Sequence, residues 1–463
     1  MTALMSFPLS LLPILIIAAV VAEIRDVAAI SSPRSRSSGI NTRSNIAVKF
    51  DEEKPTTTVL SSSQDDSVNH DHDKAHDDNE ILLDLIQMTG ILDDPLLSPS
   101  RSSALNQNPP IIEQYQPQPQ WLWSQFAGTV IASAWPTALR NMIWATAFCF
   151  FVRYNTYGDF RVFQEALETS ATTFPLVGGL AVVDKIWTTL MGLTTFLLTF
   201  FVTQAYGFWC RFYTVTRSIQ GRLNTIQMML ASHAARDTNP KKRGQYHGYT
   251  NNSYEFLVVV ARRLRLFHLL HWSSQTRRFK ILMTEKGLTR LVATGVLSEE
   301  EKTALDALVE VPITQKQYAI LQATITQCQH ALRNNKIMSV DSKFLEHLLL
   351  DEFRQLRGQC ASIPDLIDGR MPLAYAHFVQ ILVDTFVLST PIAKYDSLGI
   401  FSVLMTGILS FFYQGLLMLA QVFLDPLDNV DYADGCLTYD LSVLLRESNA
   451  ASAKWLYGGG ATL

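Results

Sequence analysis

The residues whose types and spacing could do chemistry sit in one apolar stretch. Between Lys185 and Arg211 the chain reads IWTTLMGLTTFLLTFFVTQAYGFWC, with no Asp, Glu, Lys or Arg. Phe196 and Phe200 stand four apart, so a helix projects both rings from one face. Neutral hydrogen-bonding groups follow at Thr199, Thr203 and Gln204, and the stretch exits on Arg211. Rings, then hydroxyls and an amide, then a cation suit the lining of a pore for small ions. Phenylalanine stripes in membrane helices also pack against neighbours or lipid, so the pattern alone leaves both readings open.

Other chemistries find little support. No HExxH, GxSxG, P-loop or GxGxxG pattern occurs, so no enzyme is expected. The five cysteines (Cys149, Cys210, Cys328, Cys360, Cys436) show no CxxC spacing and read as free thiols. The net charge of −4 lacks the basic footprint of a nucleic-acid binder. His70, His72 and His76 lie among aspartates in an acidic, low-complexity tract, a composition that is usually solvated rather than metal-bound. His268 and His271 are too few for a metal box and are expected to pack near Trp272.

The chain that must position the stretch has 463 residues, 48% of them hydrophobic and 17% charged. A mean hydropathy of +0.11 with so little charge fits a membrane protein carrying a large soluble part. Residues 1–22 are apolar, broken by Pro8 and Pro13, and read as a cleaved signal peptide. Residues 23–50 include a Ser/Arg-rich run without acids, which reads either as an organelle transit segment or as a linker. Residues 51–120 form an acidic and then Pro-rich linker, with a short amphipathic helix expected at Ile81–Ile91.

An ordered core is expected from Trp121 to Glu447, followed by a flexible tail, 448–463. Four membrane-associated segments are expected at about 136–153, 186–210, 372–393 and 397–424, with a soluble helical domain at 211–370. Trp135-Pro136 marks the start of the first, which places Arg140 within snorkelling reach of the headgroups. His377 and Asp384 in the third are expected to serve structural pairing.

Gly128-Thr129, Trp135-Pro136, TFLLTFFVTQAYGFWCRFY, LLDEFRQLRGQC, MPLAYAHFV and Asp425-Pro426 follow one another along the chain, and with them, from about Phe126 to Glu447, it resembles the bestrophin family of anion channels. The family's pore helix reads roughly SFVLGFYVTLVVTRWWNQY, against TFLLTFFVTQAYGFWCRFY here. Leu349–Cys360, LLDEFRQLRGQC, resembles the family's LLNEMNTLRTQC. Gly128-Thr129, Trp135-Pro136, Met371–Val379 and Asp425-Pro426 fall in the family's order.

The resemblance implies an all-α membrane protein assembling as a homopentamer around one axial pore for chloride or bicarbonate. The pore neck falls on Gly192, Phe196 and Phe200, spaced four and four, and Gly192 stands where the family has a bulky side chain. Ring edges turned to an axis would favour anions weakly, and an apolar constriction can gate by dewetting. Arg211 and Arg217 could concentrate anions at the soluble mouth or serve as anchors and salt-bridge partners. No cofactor is required. Calcium at Asp428, Asp431 and Asp434 is the weaker candidate, because Val430 and Ala433 stand where acids are expected. The transit-like segment favours a plastid (thylakoid) membrane, with the endoplasmic reticulum or plasma membrane as the alternatives. A non-conducting scaffold that keeps the fold is the alternative function.

Overall fold

A computed structural model describes residues 81–91, 111–112, 129–157, 175–237, 248–334, 336–338, 342–428 and 438–458, all within one unit, Ala75–Leu463. The expected signal and transit segments, the His70/His72/His76 cluster, Cys436, Asp431 and Asp434 lie outside the described residues.

The described chain is helical, with two isolated β-bridges, Ala234 with Met338 and Arg236 with Tyr249. In order the helices are α1 (residues 81–88), α2 (Val130–Tyr157), α3 (Pro175–His233), α4 (Asn251–Gln275), α5 (Glu285–Ala293), α6 (Glu299–Asp306), α7 (Ile313–Lys316) and α8 (Tyr318–Leu332). They continue with α9 (Ser342–Asp368), α10 (Leu373–Leu398), α11 (Phe401–Phe423) and α12 (Leu441–Gly458).

The long element is α3. Its 59 residues, at 1.5 Å each, reach roughly 90 Å, about three times the hydrocarbon thickness of a bilayer. One rod therefore serves both halves of the protein. Its first half buries Trp187, Leu198, Phe201 and Ala205 against Val379, Val383, Phe386 and Val387 of α10 and Leu417, Ala420 and Phe423 of α11. Its second half buries Ile219, Leu223, Ile226 and Leu230, at helical spacing, in a separate soluble core built with α4, α8, α9 and α12.

Three described helices, those holding residues 182–233, 373–398 and 401–423, are long and apolar enough to cross a membrane. The first expected segment, α2, is not among them; it is tied to α11 by close packing and polar bonds. Asn141 Nδ2 donates to Ser410 Oγ at 2.8 Å and to Gln414 Oε1 at 3.0 Å. Such bonds satisfy amides that hydrocarbon would leave unpaired. Gly407 lets the two backbones close, since a Cβ there would come within 2.6 Å of Met142 Sδ.

In the soluble half, Thr250 caps α4 and a Ser298/Glu301 capping box starts α6. Glu301 also takes two bonds from Arg262, at 2.7 and 2.8 Å, and one from Arg263 at 2.8 Å. Burial alone would raise its pKa, but the arginines and the Ser298 backbone N–H hold it at about 2.

The soluble-domain boundary expected at Arg211 falls inside α3, which runs unbroken to His233. The tail drawn at 448–463 is helical to Gly458, with Ser448, Asn449 and Ser452 buried. The short helix expected at Ile81–Ile91 is present over residues 81–88 and buries Leu82, Leu85 and Ile86 in the soluble core.

Candidate pore-lining site

Opposite its buried side, α3 presents a continuous exposed stripe: Gly192, Phe196, Phe200, Thr203, Gly207, Arg211 and Thr214. The intervals are four, four, three, four, four and three, which keep one face of a straight helix. Phe196 is 69% exposed and Phe200 48%. The Phe200 ring meets Tyr375 of α10 edge-on, with centroids 6.3 Å apart. A Cβ built on Gly192 would meet nothing within 4 Å, so the glycine leaves a gap in the stripe rather than relieving a clash.

Hydroxyls border the rings. Thr195 Oγ1 lies 2.7 Å from Tyr413 Oη and also donates to Met191 O at 2.8 Å. Thr203 Oγ1 donates back to Thr199 O at 2.8 Å. With their protons given to the helix, these oxygens offer the stripe methyl groups and lone pairs in place of ionisable groups.

The two expected mouth arginines separate. Arg211 is exposed and makes no ion pair among the described residues. Arg217 is held by Glu447 of α12 at 2.6 Å and donates to Gln220 Oε1 at 2.7 Å, so its charge is compensated.

A cation that the sequence reading passed over is Lys185, exposed and without an ion pair among the described residues. It lies seven residues before Gly192, two turns along the same face. Its neighbour Asp184 is taken by Lys394 of α10 at 2.7 Å, and that ammonium sits 4.4 Å from the Trp187 ring centroid. The signal was the spacing of Lys185 and Arg211 at the two ends of the charge-free stretch.

Phe344 is 74% exposed at the start of α9, whose Glu352 takes two bonds from Arg222 of α3, at 3.0 and 2.8 Å. Its spacing against the buried Leu345, Leu349 and Leu356 places it on the open face of α9.

The remaining candidates fall into structural roles. His268 Nε2 accepts from Trp272 Nε1 at 2.8 Å, and His271 packs against Trp272 and Phe267. Burial pushes both imidazoles down to about 3, with His271 adding to the effect on His268. Asp384 accepts from Gln380 at 2.8 Å and from Gln414 at 3.3 Å, while His377 is exposed.

Asp428 is the one described member of the expected calcium trio. Its Oδ1 accepts the Arg277 N–H at 2.8 Å, and Arg277, Lys280 and Arg370 line the same cavity of about 220 Å³. Burial raises the Asp428 pKa, against the Arg277 N–H that holds the carboxylate. No group of three acids, histidines or cysteines among the described residues is arranged to hold a metal ion.

Helices of membrane-crossing length around a rod with an open aromatic-and-hydroxyl face define an all-α membrane protein. Its family follows from comparison with known proteins. The family model described as "Bestrophin, RFP-TM, chloride channel" matches residues 129–434, more than half of the chain, and the chain belongs to that family.

Among solved structures, a point-substituted bacterial bestrophin homologue from Klebsiella pneumoniae is 14% identical, with a TM-score of 0.49. The match covers 71% of this chain and 98% of that one. A second crystal structure of a bacterial bestrophin homologue from Klebsiella pneumoniae, phased by Zn-SAD, is 15% identical, with a TM-score of 0.45, over 71% and 98% of the two chains. No curated protein matches the chain.

Proposed function

We propose that the protein is a passive anion channel for chloride or bicarbonate, built from five copies whose α3 stripes face a common axis. The observation that carries this reading is the composition of the open face of α3. A lipid-facing surface is apolar throughout, whereas this face changes within one membrane crossing from phenylalanine to threonine, glycine and arginine. A water-filled axis accommodates all four.

Cyclic symmetry turns each side chain on the face into a ring. Phe196 and Phe200 would form two aromatic girdles with positively polarised edges, which bind an anion too weakly to trap it. Gly192 would leave the outer level wide. Lys185 outside the neck and Arg211 inside it raise the local anion concentration at both mouths. In this reading α2 is the fourth membrane-associated helix, docked on α11, and no calcium is required. A plastid membrane, suggested by the Ser/Arg-rich segment, is the proposed setting.

The test is an ion-substitution current measurement on the purified protein in planar bilayers, chloride against bicarbonate, with Phe196→Ala and Phe200→Ala alongside. Anion-selective current whose permeability ratios shift in both variants is expected. An intact oligomer that carries no current would favour the scaffold reading. Variants with unchanged ratios and gating would remove the two rings from the neck.

A further inference from the structure

The first described helix, α1, is docked on α12 and the soluble core through a specific set of bonds. Leu82, Leu85, Ile86 and Ile91 are buried in the soluble core, and Ile111 joins them. The helix ends on Gly90 at φ +63°, a left-handed residue of the kind that closes helices, and Gly90 N donates to Gln87 O at 2.9 Å. Helix ends leave carbonyls without partners. Here α12 supplies them: Arg446 Nε donates to Met88 O at 2.7 Å, and Asn449 Nδ2 donates to Thr89 O at 3.0 Å.

Between those two residues stands Glu447. It faces the other way and holds Arg217 and Gln220 of α3, at 2.6 and 3.0 Å. One turn of α12 therefore grips α1 with one side and the pore helix with the other. Six residues after Arg211, Arg217 is the next arginine down α3, and Glu447 compensates its charge.

We propose that α1 is a releasable clamp: docked, it seats α12 so that Glu447 neutralises Arg217; released, it frees Arg217 to act as a second cation at the soluble mouth. The inference rests on the channel reading above. Release frees a positive charge beside the ion path, so anion current rises at low ionic strength. The gain shrinks at high salt, where the Debye length falls to a few ångströms.

The experiment compares anion current in liposomes, at low and high salt, for the full chain, Leu82→Asp/Ile86→Asp, Glu447→Gln, and the triple variant. The aspartates expel α1, while Glu447→Gln frees Arg217 with α1 in place. Each is expected to raise low-salt current about twofold or more. The triple variant should do no better than either, because coupled changes are not additive.

A synthetic peptide of residues 75–91, added on the soluble side of a form lacking those residues, should return the current to the full-chain level; this arm does not depend on the aspartates being tolerated. The clamp is overturned if expelling α1 leaves current unchanged, if the two effects add, or if the peptide does nothing. Absence of anion current in every form, the full chain included, would remove the channel reading itself and the clamp with it.

Discussion

Two exposed stripes of this molecule share a period and differ in content. On α11 one open stripe reads Phe401, Leu404, Ile408, Phe412 and Leu416, apolar at every step. On α3 it reads Gly192, Phe196, Phe200, Thr203, Gly207 and Arg211. Both fall at intervals of three and four on helices of membrane-crossing length. Hydrocarbon accepts the first stripe and penalises the second, while an aqueous axis between copies accepts the second and gains nothing from the first. Exposure in one protomer therefore does not say what the face meets; side-chain chemistry along the stripe does.

The largest expected effect comes from placing the same charge on each stripe. Ile408→Arg should cost about 2.5–3.5 kcal/mol at mid-membrane and deplete the assembled protein. Thr203→Arg should assemble normally. Size-exclusion profiles and yields in mild detergent check the pair, and equal loss from both substitutions would erase the contrast.

The soluble half supplies a second break point, through His268 and His271. Their folded pKa values of about 3 lie below the ordinary 6.5, so the unfolded chain binds protons first. Stability is full above pH 6.5 and declines as pH falls toward 3. At pH 5 the loss is about 2 kcal/mol per histidine. Thermal melts at pH 7 and pH 5 should differ accordingly, and His268→Gln should remove about half of the difference. Ion selectivity measured at either pH in the folded protein should stay the same.

Filling the gap in the α3 stripe is the next test. Gly192→Phe adds a third girdle, and its Cβ has room, since a Cβ there meets nothing within 4 Å. Anion current should fall about tenfold or more, equivalent to about 1.4 kcal/mol of added barrier. Phe412→Gly on α11 should leave single-channel current alone.

The smallest effect separates the arginines. Arg211→Gln should lower low-salt current about two- to threefold, with the loss shrinking at high salt. Arg217→Gln should do less, because Glu447 already compensates that charge. Noise and single-channel analysis at two ionic strengths distinguishes them.

The sequence carried what is local. Twenty-five residues without charge marked the crossing, and the four-residue step from Phe196 to Phe200 marked its open face. The amphipathic pattern at Ile81–Ile91 foretold α1. What it could not carry is what residues far apart do together. The continuation of α3 past Arg211 was hidden because its buried partners change there from membrane helices to a soluble core. The pairing of Arg217 with Glu447 spans 230 positions, and that of Asp184 with Lys394 spans 210. Neither leaves a mark in either residue's neighbourhood. The bond from the Arg277 N–H to Asp428 Oδ1 likewise joins residues 151 positions apart.

The central claim, that the α3 stripe meets water while the α11 stripe meets lipid, is tested most directly by thiol accessibility. In a Cys210→Ser background, Thr203→Cys and Phe412→Cys channels are exposed to a membrane-impermeant, charged thiol reagent while anion current is recorded. The account predicts rapid modification and block at Thr203→Cys, and neither modification nor block at Phe412→Cys. Modification at Phe412→Cys with Thr203→Cys inert would contradict it.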